Sequence, residues 1–307
     1  MKALVTGGAG FIGSHVVDRL IKSNVETYIL VSGFRSTKHP SIVNPEARVI
    51  KGDLRNYNDL EAATKNKDVV FHLGGVFSHY FEAYPDLTID VNISGTWNLK
   101  KACITNKVNR IIFASSSLVY GEPSRVPIDE EHPLNPKDLL GITKLASEKI
   151  LQASYPYKID YTILRLFNVY GPRQYPDELY SSVFSTWIKQ ALQGKSLEIH
   201  DKGKQRLDFV YVEDVADSFI ASLRVPALNQ IFNVGSGISI TLNTLAHSIN
   251  IVTRNYVKPH YNLGHPAFLK WVQADIRKIT SCLQWQPSTS LVCGLEKTVN
   301  FFKGAQT

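Results

Sequence analysis

The chain has 307 residues, 44% hydrophobic and 20% charged, with no low-complexity tract; that size suits one large α/β domain with a smaller appended one, and buries a sizeable core without disulfides or metals. Its 34 lysines and arginines exceed its 27 acids, for a net charge of +7, yet no basic run is dense enough for a nucleic-acid footprint, so the balance fits small anionic ligands. Three scattered cysteines (Cys103, Cys282 and Cys293) argue against a disulfide framework or a zinc site and for a reducing, cytoplasmic setting. "MKALVTGG" enters a strand at once, with a glycine turn where a secretory signal would place its apolar stretch. No apolar run reaches the ~18 residues of a membrane span.

The predicted elements alternate. Residues 2–5 form a short apolar strand, ended by "TGGAGFIG"; residues 14–24 carry apolar side chains at Val16, Val17, Leu20 and Ile21, a helical spacing. Strands follow at 26–31 and 47–54, a helix at 59–66, a strand at 68–75, a long helix at 90–106 and a strand at 109–117. A Pro-rich surface loop spans 121–138. Then come a helix at about 140–154, a strand at 161–171, a helix at 181–194, strand then helix over 207–225, and a strand at 230–237; residues 253–307 are a mixed tail. Strands alternating with helices predict a doubly wound parallel sheet covered on both faces. The expected division is a dinucleotide-binding domain over 1–168 with a returning segment near 207–235, and an interleaved, mostly substrate-binding domain over 169–307.

"GGAGFIG" has the spacing Gly7, Gly10, Gly13 between a strand and a helix. Gly7 permits the tight turn, Gly10 lets backbone approach a pyrophosphate, and Gly13 lets helix and strand pack closely. The helix N-terminus then offers amide donors and partial positive charge. An NAD site usually ends its second strand in an acid that accepts from the ribose hydroxyls. Here Val31 and Ser32 stand at that place, with Arg35 and Lys38 beyond. A missing acid beside a cation also suits the 2′-phosphate of NADP, so the residues leave NAD and NADP both open. Asp53 is placed to accept from an adenine amino group, or else to cap the following helix.

In order and spacing, "TGGAGFIGSH", "GDLRN", "FHLGG", "VNISGTWNL", "FASSSLVYG", "GITKLASE", "RLFNVYGPRQ", "DFVYVEDVADSF", "FNVGSG" and "LQWQPSTSLVCGLEKTVNFF" resemble the extended short-chain dehydrogenase/reductase family. The likeness runs nearly the whole chain, and the nearest pattern is the nucleotide-sugar epimerase/dehydratase branch, UDP-glucose (UDP-galactose) 4-epimerases above all. It implies a Rossmann fold, NAD as cofactor and a nucleotide sugar as substrate. It also implies a homodimer formed through the helices near 92–105 and 141–154. Ser116 would be the catalytic hydroxyl and Lys144 the catalytic lysine. Cofactor contacts would come from Gly7, Gly10, Phe11, Ile12, Gly13, Ser32, Arg35, Asp53, Leu54, Leu73, Gly74, Lys144 and Phe167. Substrate contacts would come from Ser117, Asn168, Arg173, Gln174 and Arg206. The family's dehydratases carry an Asp-Glu pair after the catalytic hydroxyl; Ser117 and Leu118 stand there, which favours epimerase or simple oxidoreductase chemistry.

In 4-epimerisation as that family performs it, a tyrosine takes the sugar hydroxyl proton. A lysine one turn later lowers the tyrosine's pKa from ~10, the i, i+4 spacing putting both on one helix face. Lys144 is present, but the tyrosine position is Leu140. The chain is therefore an inactivated epimerase, a silent NAD(P)-binding sensor or scaffold, or a protein in which Tyr120, His79 or a water held by Ser116 serves as base. Leu207 replaces the family arginine beside Asp208, and Asn262 and His265 stand where a second is expected. Neither leucine nor asparagine grips a diphosphate as a guanidinium fork does. Arg173, Gln174, Lys204 and Arg206 offer partial compensation, and a reductase acting on a non-nucleotide carbonyl is the rival reading. The nine histidines show no metal-ligand spacing; the pair His79–Tyr80 lies nearest the expected pocket mouth.

Overall fold

The computed structural model describes residues 1–32, 42–76, 83–155, 158–175, 182–262 and 269–304. Its largest layer is a seven-stranded, wholly parallel sheet. The strands are β1 (Lys2–Thr6), β2 (Glu26–Val31), β3 (Arg48–Lys51), β4 (Val69–His72), β5 (Arg110–Ser116), β6 (Asp160–Leu166) and β10 (Gln230–Val234), in the order β10-β6-β5-β4-β1-β2-β3. The order reverses between β1 and β4. In such sheets the crevice at the strands' carboxyl ends at that point is where ligands bind.

Helices cover both faces, as the alternation of apolar side chains requires. In β1, Ala3 and Val5 face a core shared with α1 (Phe11–Lys22) and α7 (Val212–Ala221), whereas Leu4 faces the opposite core, shared with α2 (Tyr57–Thr64), α4 (Gly95–Thr105) and α5 (Leu139–Gln152). Each central strand is buried on both sides, which is why these segments read as continuous apolar runs. A short helix α3 (Pro85–Ile89) and a π-helical turn (Asp90–Ser94) precede α4, so the helix expected at 90–106 starts earlier and carries an irregular turn.

The expected strand at 161–171 is two strands. After β6 the chain leaves the large sheet at Phe167, whose N–H donates to Val234 O at 2.9 Å. β7 (Asn168–Tyr170) then joins β9 (Arg206–Tyr211) and β11 (Ser239–Thr241) in a separate three-stranded sheet. Residues 207–235 therefore split: α7 and β10 return to the large sheet, and β9 does not. A third core joins β7 and β9 to α6 (Val183–Leu192), α8 (Leu242–Thr253) and α10 (Leu291–Gly304). The pair β8 (Glu198–His200) and β12 (His260–Asn262) and the helix α9 (Arg277–Leu283) complete the described chain. No helix among the described residues is long and apolar enough to cross a membrane.

Candidate active site

The glycine loop lies at the switch point. Gly7 has φ +73°, and a Cβ there would stand 2.7 Å from Gly74 N; a Cβ on Gly13 would stand 2.1 Å from Gly7 O. Both positions therefore demand glycine, the first for turn geometry and contact with the β4 loop, the second for the close seat of α1 on β1. Gly10 is the N-cap of α1 and supplies no side-chain cap, so the first-turn amides face the crevice with a helix dipole behind them. Half-buried Phe11 and Ile12 flank that turn. Leu73 and Gly74 follow β4, and Leu54 packs against both Gly74 and Gly95. This cradle fits the pyrophosphate of a dinucleotide.

Ser32 follows β2 half-buried; Arg35 and Lys38 lie outside the described residues. Asp53 does not cap α2. Asn56 does, its side chain accepting from Asn58 N. Arg55 grips Asp53 instead, through Nε at 3.0 Å and Nη2 at 2.7 Å, and these bonds hold the Asp53 carboxyl below its ordinary range. An adenine amino group would share those oxygens.

Ser116 closes β5 at the crevice, half-buried, its Oγ accepting from Leu118 N at 3.2 Å. Ser117 and Leu118 continue into a single 3₁₀ turn. α5 crosses this strand end, and Gly141 makes the crossing close: a Cβ there would lie 2.7 Å from Leu118 O. Asp138 caps α5 by accepting from Gly141 N at 2.6 Å. Lys144 reaches inward from the next turn, donates to Ala114 O at 2.7 Å and passes over the Phe113 ring. Its burial lowers its pKa to about 8, against the pull of Glu148. Leu140, one turn earlier and half-buried, has no exchangeable proton.

Tyr120 is not a substitute base. Its ring is 1% exposed; its hydroxyl donates to Asn233 Oδ1 at 2.6 Å and accepts from Arg165 Nη1 at 3.0 Å. Burial raises its pKa further. His79 and Tyr80 lie outside the described residues. Sequence reasoning missed the network beneath Tyr120: Arg165 forks onto Glu148 at 3.0 and 2.8 Å, and Ser115 Oγ donates to the same carboxylate. Glu148 sits one turn beyond Lys144 on the same helix face. That spacing was the available signal, but the partner on β6 was not visible from it.

The substrate residues scatter more widely. Phe167 is buried where the two sheets part, and Asn168 donates from Nδ2 to Asp208 O at 2.9 Å. Arg173, with φ +68°, pairs with Asp18 on α1 at 2.8 Å. Gln174 is buried and donates to Val169 O at 3.1 Å. Arg206 lies over the Trp271 ring and donates to Ser239 O at 2.9 Å. Both guanidiniums thus have protein partners. Leu207 sits in the core of the three-stranded sheet. Asp208 is fully buried, accepting from the backbone N–H groups of Ser236, Gly237 and Ala274; burial raises its pKa against those bonds. Asn262 donates to Glu198 at 3.0 Å, and His265 lies outside the described residues.

The NAD dependent epimerase/dehydratase family model matches residues 3–235. The UDP-glucose 4-epimerase of Mycolicibacterium smegmatis is 31% identical over 310 residues, covering 99% of each chain. The crystal structure of a UDP-glucose 4-epimerase from Thermotoga maritima, with UDP-glucose, superposes with a TM-score of 0.93 at 31% identity over 100% of both chains. That of the Thermus thermophilus UDP-glucose 4-epimerase, in complex with NAD, gives 0.89 at 29% identity over 99% of this chain and 100% of that one. With the switch-point glycine cradle, Ser116 and Lys144 in place, the chain belongs to the NAD-dependent epimerase/dehydratase family.

Proposed function

We propose that the chain binds NAD and a nucleotide sugar of the UDP-glucose/UDP-galactose kind with the architecture of a 4-epimerase, and that its turnover is crippled at proton transfer. The observation that carries this is Leu140 at the second position of α5, one turn before Lys144, with Tyr120 sequestered by Asn233 and Arg165. NAD, when bound, supplies the hydride acceptor and donor. Ser116 orients the sugar hydroxyl and Lys144 holds positive charge beside the crevice, but position 140 has no group to take the proton. Loss of a positioned base costs about 10²–10⁴-fold, so the protein works chiefly as a binding protein. The smaller sheet and residues 169–307 supply most of the substrate half. Leu207 brings no guanidinium to a diphosphate, so the affinity for UDP is modest. Exposed Ile142 on α5, with Tyr84 and Ile89 before α4, supports pairing of these helices across a homodimer.

The test has two arms. Mass analysis of nucleotide released on denaturation should identify NAD, and calorimetry should find UDP binding while UDP-galactose is converted at or near background. Rapid conversion overturns the crippled-turnover reading. Failure to bind UDP at about millimolar concentration (an affinity weaker than roughly −4 kcal/mol) overturns the nucleotide-sugar reading and favours a reductase of non-nucleotide carbonyls.

A further inference from the structure

Thr6 and His72 end the two central strands at the switch point, and each is 1% exposed. Polar groups so buried need partners, and tracing theirs gives a single direction. The Gly74 N–H donates to Thr6 Oγ1 at 3.0 Å. The Thr6 hydroxyl lies 2.8 Å from His72 Nδ1, and His72 Nε2 lies 3.0 Å from Thr96 Oγ1. The Thr96 hydrogen goes to Asn92 O at 2.5 Å, with Ser147 Oγ at 3.3 Å as its other acceptor. Either way it points away from the ring.

A neutral imidazole has one donor and one acceptor. Since the Thr96 hydrogen is used elsewhere, Nε2 carries the proton and Nδ1 accepts from Thr6. Burial, with the Lys144 charge nearby, lowers the His72 pKa to about 3, so the ring stays neutral. The chain continues at Asn92, in the π-helical turn. Its side-chain amide accepts from Val76 N at 2.7 Å and donates to Val76 O at 3.0 Å and to Thr143 Oγ1 at 3.1 Å. Thr143 in turn donates to Leu140 O at 3.0 Å.

We infer that Thr6, His72 as its Nε2–H tautomer, Thr96 and Asn92 are positioning residues that fix backbone 74–76 against the glycine loop and tie it to the first turn of α5. Segment 74–76 has left the strand ladder, and these side chains hold it at both ends. Gly7 rests on Gly74 so closely that a Cβ would stand 2.7 Å from Gly74 N, so a shift of Gly74 moves the pyrophosphate cradle. A network with every polar hydrogen placed specifies one arrangement, whereas a half-satisfied one is costly. The inference rests on the NAD reading of that cradle.

The first test needs no variant: nitrogen-15 NMR of His72 in the purified chain should show a neutral Nε2–H ring, unchanged from about pH 8 to about pH 5. An Nδ1–H tautomer or an imidazolium overturns the inference. Thr96→Val should then weaken NAD binding by about tenfold or more, because it leaves a buried donor without its acceptor. UDP, bound from the other sheet, should change by less than about twofold, and Thr96→Ser should recover NAD affinity. If Thr96→Val binds NAD as tightly as the parent, or loses NAD and UDP together, the inference fails alone. If the parent binds no NAD, the cofactor reading fails and takes the inference with it.

Discussion

Leu140→Tyr should restore epimerisation, and the gain should depend on Lys144. Position 140 is the second residue of α5 and Lys144 lies four residues on, so the two side chains share a face with Cβ atoms ~5–6 Å apart. Below its pKa of about 8 the Lys144 ammonium is charged. At ~5 Å and an effective dielectric of ~20 that charge favours a phenolate by about 3 kcal/mol. This is roughly two pH units, enough to bring a tyrosine from ~10 to ~8. A base so tuned should raise turnover about 10²–10⁴-fold, or ~3–5 kcal/mol of barrier. The assay is conversion of UDP-galactose to UDP-glucose by Leu140→Tyr, Lys144→Met and the double variant, each first shown to hold NAD and UDP. The pH profile of Leu140→Tyr should be bell-shaped, its two limbs belonging to the tyrosine–lysine pair. The reasoning is refuted if Leu140→Tyr binds both ligands and gains nothing, or if its gain survives in the double variant.

Three further outcomes follow from the geometry. Glu148→Leu leaves Arg165 buried without its carboxylate (the pair is 0% and 2% exposed), so urea unfolding should show a loss of ~3–5 kcal/mol; a loss below ~1 kcal/mol would mean the pair does not hold β6 to α5. His72 is folded at a pKa of about 3 against 6.5 when unfolded, so the unfolded chain binds the extra proton. Stability should fall with falling pH between these values by about 1.4 kcal/mol per pH unit from this group; His72→Asn should flatten the slope by that amount, and an unchanged slope would show that the ring charges freely. Ile142→Glu places a charge on the exposed apolar face of α5; sedimentation should find a monomer if that face pairs two chains, and a dimer of undiminished affinity would exclude it.

What was legible in the sequence is what short-range sterics dictate. The glycine spacing at 7, 10 and 13 announces a strand–turn–helix because Gly7 and Gly13 make contacts that no Cβ could share, and the apolar runs announce buried parallel strands. The break at Phe167 was not legible, since a mainly apolar strand run has the same pattern whether one sheet or two receive it. Nor was the pairing of β8 with β12, whose partners lie some sixty residues apart. His72 read as one polar residue in an apolar strand, because Thr6 and Thr96, which give it a reason, are 66 and 24 residues away.

Leu140 is the opposite case. A leucine in the first turn of an amphipathic helix violates no local rule, so no periodicity or propensity marks it as unusual; only resemblance to a family raises the question. The structure contributes the negative half of the answer. It shows Tyr120, the one side chain among the described residues named as a replacement base, held by Asn233 and Arg165. It also places Ser116 at the end of β5 and Lys144 on Ala114 O of the same strand. Lys144 is buried, at a desolvation cost that lowers its pKa, and the His72 network is hydrogen-bonded throughout. On the proposed reading both belong to the cofactor side of the crevice, and Leu140 bears on proton transfer alone.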